Sequence, residues 1–153
     1  MSTYEFLLIG HLLFVAVWVG SDVCLQMLAL RARLAGPERT VQFLGDVEWI
    51  GLRLLNPAAL LVVIFGVLLV IDQDAWEFSQ FWVSAGLAMF LVSASVGAGF
   101  LGPEAGRLDR LAAERNASDP ELQRRIGRIV LISRIELVLL VLVIADMVVK
   151  PGL

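Results

Sequence analysis

Long, nearly uninterrupted apolar runs constrain this chain more than any other feature of its sequence. A run of about 18 or more apolar residues can cross the roughly 30 Å hydrocarbon core of a bilayer as a helix. Only helices and closed barrels satisfy their backbone polar groups in lipid. The 153-residue chain has four such runs, separated by short polar segments. The sequence therefore predicts one all-α membrane domain over residues 1–153, with transmembrane spans at about 4–34, 49–71, 78–101 and 120–149.

Glycine and proline residues mark the expected ends and irregularities of these spans. The Gly36-Pro37 and Gly102-Pro103 pairs are expected to end the first and third helices, because glycine suits a helix C-terminus and proline stops continuation. Pro57 lies within the second span and has no N–H to donate to the carbonyl four residues back, so a kink is expected there. The short connections favour an antiparallel four-helix bundle.

Arginine placement predicts the orientation of the bundle. Arg31, Arg33 and Arg39 lie between the first two spans, five arginines from Arg107 to Arg125 lie between the last two, and the middle connection has none. Short loops rich in arginine stay in the cytoplasm. Both termini are then expected outside a bacterial inner (plasma) membrane. The 12 basic and 15 acidic residues give no nucleic-acid signal, so the expected partners are the lipid bilayer and either a second copy or a membrane complex.

Ionisable residues at membrane depth form an expected inner layer. Charged side chains are costly in hydrocarbon, so they normally face the bundle interior and find partners. Two acids and two arginines at similar depth are expected to neutralise one another. Two interpretations remain open: an ionic clasp that fixes helix register, and a polar pocket that serves a proton path or an anionic ligand. The residues of this layer are Asp22, Arg53, Asn56, Arg134 and Glu136.

An expected outer layer surrounds His11, the single histidine of the chain. Asp146 is a candidate to orient its ring. Met89 and Met147 are predicted at comparable depth, and histidine with methionine is a known axial pair for haem iron. His11 is therefore a candidate haem ligand, with a hydrogen-bonded packing role as the alternative.

Small residues on the third span predict close helix packing, either within the bundle or between two copies, because they let helices approach closely in lipid. They are Ser93, Gly97, Gly99 and Gly102.

Two short motifs carry a resemblance to known proteins. The first helix reads Gly10-His11-Leu12-Leu13 and then Trp18-Val19-Gly20, and a stretch from Gly99 to Pro103 precedes Arg107-Leu108. The chain resembles an uncharacterised family of bacterial predicted integral membrane proteins of similar length with four spans. It is distantly similar to copper-resistance D-type proteins and to the membrane protoporphyrinogen oxidase family. These resemblances imply His11 as the candidate ligand position.

Three functions follow as hypotheses. The bundle core binds haem or another small ligand, or the inner layer serves proton-coupled or small-solute transport, or the protein is a non-catalytic structural or assembly subunit of a membrane complex. The chain has no hydrolytic triad, phosphate loop or zinc-ligand spacing, so enzyme chemistry of the soluble type is not expected.

Overall fold

The computed structural model describes residues 1–152 and contains only helices over that range. Ser2 and Glu5 form a capping box at the start of the first helix, and the side chain of Asp119 accepts hydrogen bonds from two backbone N–H groups at the start of the last. Such caps satisfy N–H groups that have no partner within the helix. The helices are α1 (Thr3–Ala35), α2 (Pro37–Ile50), α3 (Asn56–Asp72), α4 (Phe81–Val96), α5 (Gly102–Glu114) and α6 (Pro120–Val149).

Two of the long helices contain a π-helical turn near the middle. Helices α2 and α3 are continuous through the turn Gly51–Leu55, and α4 and α5 are continuous through Gly97–Leu101. In both turns a backbone N–H bonds to the carbonyl five residues back, from Asn56 and from Gly102. The next residue in each case is a proline, which cannot supply the N–H that the α-helical ladder needs. A widened turn before the proline is the result.

These turns correct one expected helix end and refine an expected kink. The irregularity expected at Pro57 takes the form of a π-helical turn. The helix end predicted at Gly102-Pro103 is wrong, because the helix continues to Glu114. The end predicted at Gly36-Pro37 is confirmed: α1 stops at Ala35, and Gly36 has a φ of 118°, a value that favours glycine.

Three helical stretches are long and apolar enough to cross a membrane: Thr3–Ala35, Pro37–Asp72 and Phe81–Glu114. Helix α6 has 30 residues but carries Arg134, Glu136 and Asp146 in its apolar part, which sets it apart in composition. The described residues thus form an all-helical protein with three membrane-capable helices and a fourth long helix that packs against α1 and α4.

Helix packing creates two apolar clusters. Helix α1 lies along α3, α4 lies along α6, and α2 packs on α5, whereas α3 and α4 barely touch each other. The first cluster lies between the four long helices and consists of Trp18, Ala58, Ala59, Val62, Phe90 and Leu140. The second lies between α2, the second π turn, α5 and α6 and consists of Leu44, Leu101, Leu108, Leu122, Ile126 and Ile129.

Candidate functional site

A cavity of about 720 Å³ lies between all of the long helices. Asp22 of α1 and Glu136 of α6 both line it, and so does Asn56 at the start of α3. The order of residues along the helices places Trp18 and Phe90 at one end. The other end carries the exposed residues Arg33, Arg107 and Arg110. We call this space the acidic cavity.

Asp22 has a buried carboxyl group with one unsatisfied oxygen in the described part of the chain. The residue is only 9% exposed, and its Oδ2 atom makes no hydrogen bond within residues 1–152. It follows Trp18 by four positions, which places both side chains on one face of α1. That face is the one that α1 buries, since Leu25, Ala29 and Ala32 continue the same stripe. Helix periodicity alone therefore directs this carboxyl group into the bundle.

Glu136 is held by two small residues of α4 and the turn that follows it. The hydroxyl of Ser93, which is completely buried, donates a hydrogen bond of 3.0 Å to Glu136 Oε1. Gly97 lies one turn further along, and a Cβ atom there would come within 3.2 Å of the same oxygen. Ser93 and Gly97 therefore form a seat for this carboxyl group, which lines the acidic cavity together with Asp22.

The other two small residues of the predicted packing face have no such contact. A Cβ atom on Gly99 would meet nothing within 4 Å, and one on Gly102 would meet only the carbonyl of Gly97 in the same helix. Gly99 and Gly102 therefore make no close contact with another helix of the same chain, and their packing between two copies stays a prediction. The π-helical turn changes the direction in which successive residues point, so the face that begins at Ser93 does not continue through it.

The expected ion pairs of the inner layer are not formed. Arg53 is exposed, with its guanidinium 5.1 Å from the ring centre of Trp49, and Arg134 is exposed as well. The salt bridges within residues 1–152 involve Arg107, Arg115 and Arg125 instead. Depth along the helix was not enough to predict pairing. Arg134 and Glu136 are two residues apart, or about 200° around a helix, so they face opposite sides.

A second cavity, of about 330 Å³, is lined by His11. We call it the histidine cavity. The His11 Nδ1–H donates to the carbonyl of Val62, 3.0 Å away, because a carbonyl can only accept. The ring lies over Gly66, where a Cβ atom would come within 3.1 Å of it. Met147 lines this cavity but Met89 does not, so the structure favours Met147 as the methionine near His11.

Asp146 does not orient His11, which corrects that expectation. Its carboxyl group lies on Gly86 of α4 beside the side chain of Met147, and its Oδ2 atom has no hydrogen-bond partner in the described part of the chain. The backbone carbonyl of Val62 takes the role that the sequence assigned to Asp146. A backbone carbonyl that accepts a hydrogen bond from a side chain of another helix cannot be recognised from the side-chain pattern, so the sequence contained no signal for this contact.

Aromatic side chains and one lysine close the histidine cavity at its far end. The Lys150 Nζ atom lies 4.5 Å from the ring centre of Trp76 and 5.1 Å from that of Trp82. The rings of Trp76 and Trp82 meet edge-on, with their centres 5.5 Å apart. All three side chains line the cavity. The sequence pattern did not connect Lys150 with these rings.

A layer of apolar side chains separates the two cavities. Trp18, Val63, Phe90 and Leu140 line both of them, and we call these four residues the apolar partition. The rings of Trp18 and Phe90 meet edge-on with centres 5.1 Å apart, and Leu140 is only 2% exposed. The acidic cavity and the histidine cavity are therefore neighbours with one layer of side chains between them.

Potential ligands for metal ions are sparse in both cavities. No three His, Cys, Asp or Glu side chains come together as a metal site in residues 1–152. Cys24 is exposed and free. The groups available for binding are the carboxyl groups of Asp22, Glu48 and Glu136 in the acidic cavity, the imidazole of His11 and the aromatic faces.

Comparison with known proteins gives one match. A family model described as "Predicted integral membrane protein (DUF2269)" matches residues 5–151. No curated protein and no solved structure matches the chain. Asp22, Glu136 and His11 all lie within the matched residues.

Proposed function

Since this chain belongs to that family of predicted integral membrane proteins, we propose that it crosses the membrane four times and binds a small organic cation in the acidic cavity. Helix α6 is the proposed fourth span, because 30 residues extend about 45 Å as an α-helix. The arginine-rich connections are cytoplasmic in this proposal, which places the membrane at the cell's inner (plasma) membrane and opens the arginine end of the acidic cavity toward the cytoplasm.

One observation carries the proposal: the carboxyl groups of Asp22 and Glu136, on different helices, line one cavity, and neither forms a salt bridge within residues 1–152. Removing an ionised carboxyl group from water costs several kcal/mol even after the protein relaxes, and such groups in membranes usually mark a pathway or a binding site. A proton or a cation from solution must supply the missing charge. Asp22 and Glu136 therefore favour a positively charged ligand.

The walls of the acidic cavity indicate that this cation is organic. Most of the lining is apolar, and Trp18 and Phe90 present aromatic side chains at the closed end. Aromatic faces attract cations, most strongly where water is excluded, and mostly apolar cavities with a few polar groups are typical of sites for small organic molecules.

The arginines at the open end do not conflict with a cationic ligand. Arg33, Arg107 and Arg110 are exposed to solvent, where salt screens charge over about 8 Å at physiological ionic strength. Their proposed role is to hold this end of the bundle in the cytoplasm.

Binding of tritiated tetraphenylphosphonium to the purified, detergent-solubilised protein tests the proposal. We expect saturable binding that Asp22→Asn and Glu136→Gln each weaken by about tenfold or more, which corresponds to about 1.4 kcal/mol. Asp146→Asn is the matched control, because Asp146 is also a carboxyl group in α6 but does not line the acidic cavity. Equal binding of the neutral analogue triphenylphosphine oxide, or an equal loss with Asp146→Asn, would contradict the proposal.

Haem ligation by His11 is a second candidate function, favoured by the hydrogen bond to Val62. Histidines that ligate metals usually donate their other ring N–H to a carbonyl or carboxylate. Here Nδ1 makes that bond, and Nε2 makes no hydrogen bond within residues 1–152. Met147 lines the same cavity and would be the axial partner. We expect a Soret band in protein from haem-replete cells that His11→Ala removes and Met89→Leu leaves unchanged. A colourless preparation would contradict haem ligation by His11.

A further inference from the structure

We propose that the acidic cavity and the histidine cavity are two parts of one translocation path for the cation, and that the apolar partition is its gate. The inference rests on the proposed cation binding and adds an activity to it: movement of the ligand from one side of the membrane to the other. Three observations support it, concerning the partition, the far end of the path and the helices around the acidic cavity.

The apolar partition is thin and has space on both sides. Its four residues contact cavities of about 720 and 330 Å³, whereas the interior of a protein is normally packed without voids of this size. Leu140 and the Trp18–Phe90 pair are the contacts that close the path between them. A change of side-chain rotamer in this one layer would join the two spaces, and hydrophobic constrictions of this kind are known to gate pores.

The far end of the histidine cavity already holds a cation. The ammonium group of Lys150 lies over the rings of Trp76 and Trp82 at 4.5 and 5.1 Å, and these rings line the cavity. This geometry is that of an aromatic site for ammonium groups. A cation that passes the partition would therefore meet aromatic faces able to bind it, and Lys150 would have to move aside for its release.

The helices at the acidic end have built-in points of bending. The two π-helical turns contact each other and both contribute residues to the acidic cavity, among them Gly51, Leu55 and Gly97. Beyond the turns, α2 and α5 pack on each other. A π-helical turn interrupts the regular hydrogen-bond ladder, is a known cause of helix kinks and frequently lies at a functional site. Bending at both turns would move α2 and α5 together and change the opening of the acidic cavity.

Uptake of ethidium into proteoliposomes that contain trapped DNA tests the inference, with ethidium binding to the detergent-solubilised protein measured in parallel. We expect faster uptake than in empty liposomes. Leu140→Ala should raise the rate severalfold because it opens the partition, whereas Val141→Ala, on the exposed face of the same helix, should not. Val63→Phe should lower the rate of uptake measured at saturating ethidium. Ile64→Phe, an exposed neighbour in α3, is its control.

The outcomes separate this inference from the proposed function. Binding of ethidium with uptake no faster than in empty liposomes, for both the wild type and Leu140→Ala, overturns translocation and leaves the binding proposal intact. Absence of binding in the wild type overturns the proposed function. Equal effects of Val63→Phe and Ile64→Phe on the uptake rate would also contradict the proposal that the apolar partition is the gate. If Leu140→Ala fails size-exclusion chromatography, Leu140→Val provides the smaller opening, and the paired Val63 and Ile64 variants still decide the result.

Discussion

Ser93→Ala is expected to destabilise the protein by removing the hydrogen bond that joins α4 to α6. The hydroxyl of Ser93 is completely buried and donates to Glu136 Oε1 at 3.0 Å. Alanine removes the donor and leaves the carboxyl oxygen without this partner. Loss of one partner of a buried hydrogen bond costs about 1–3 kcal/mol in water-soluble proteins, whereas interhelical bonds in a membrane average about 0.6 kcal/mol. We therefore expect a loss of about 1 kcal/mol.

The free energy of unfolding in SDS titrations of mixed micelles measures this loss. Ser95→Ala is the matched control, because Ser95 lies in the same helix but is exposed. A double-mutant cycle with Glu136→Met isolates the bond, since methionine keeps the length of the side chain but cannot accept the hydrogen bond. A coupling energy near zero would refute the reasoning, and so would an equal loss in Ser95→Ala.

Three further predictions follow from other contacts. Gly86→Ala should destabilise by about 1–3 kcal/mol, because its Cβ would collide with Met147 and approach Asp146 Oδ2 to 3.0 Å, and Met147→Ala should restore much of the stability in thermal unfolding. Arg53→Gln and Arg134→Gln should each change the free energy of unfolding by less than about 0.5 kcal/mol, since both arginines are exposed and neither forms a salt bridge within residues 1–152. A loss of several kcal/mol would instead support the ionic clasp. Lys150→Gln should cost about 0.5–1 kcal/mol and change tryptophan fluorescence, because its ammonium lies over Trp76 and Trp82.

Sequence reasoning worked best where a helix was regular. On α1 the stripe of Trp18 and Asp22 predicted which side chains face the bundle, because no irregular turn interrupts the period of 3.6 residues. It also identified Glu136 as an inward residue. Assigning the long apolar runs to helices required only their length and hydropathy. The all-helical membrane architecture therefore followed from composition and from the order of residues along the chain.

Sequence reasoning failed where contacts depend on helix rotation or on the backbone. Arg53 lies within a π-helical turn, whose altered phase is invisible in the residue pattern, and it was expected to face the bundle although it is exposed. The bond from Ser93 to Glu136 depends on which helices are neighbours, a property of the whole bundle. Proline at 103 was taken as a helix end, whereas the widened turn before it lets the helix continue.

The lengths of the two continuous helices have a consequence for what stabilises each end of the bundle. Pro37–Asp72 has 36 residues and Phe81–Glu114 has 34, or about 54 and 51 Å at 1.5 Å per residue. A tilt of up to about 40° cannot fit such helices into a core of about 30 Å, so in the proposed topology α2 and α5 extend into water.

The two apolar clusters therefore lie in different solvents. Around Leu108 and Leu122, which are fully buried between α2, α5 and α6, exclusion of water drives association as in a soluble protein. Around Leu140, the alternative to packing is contact with lipid tails, which are just as apolar. One continuous bundle is thus held together by the hydrophobic effect at one end and by close fit alone at the other.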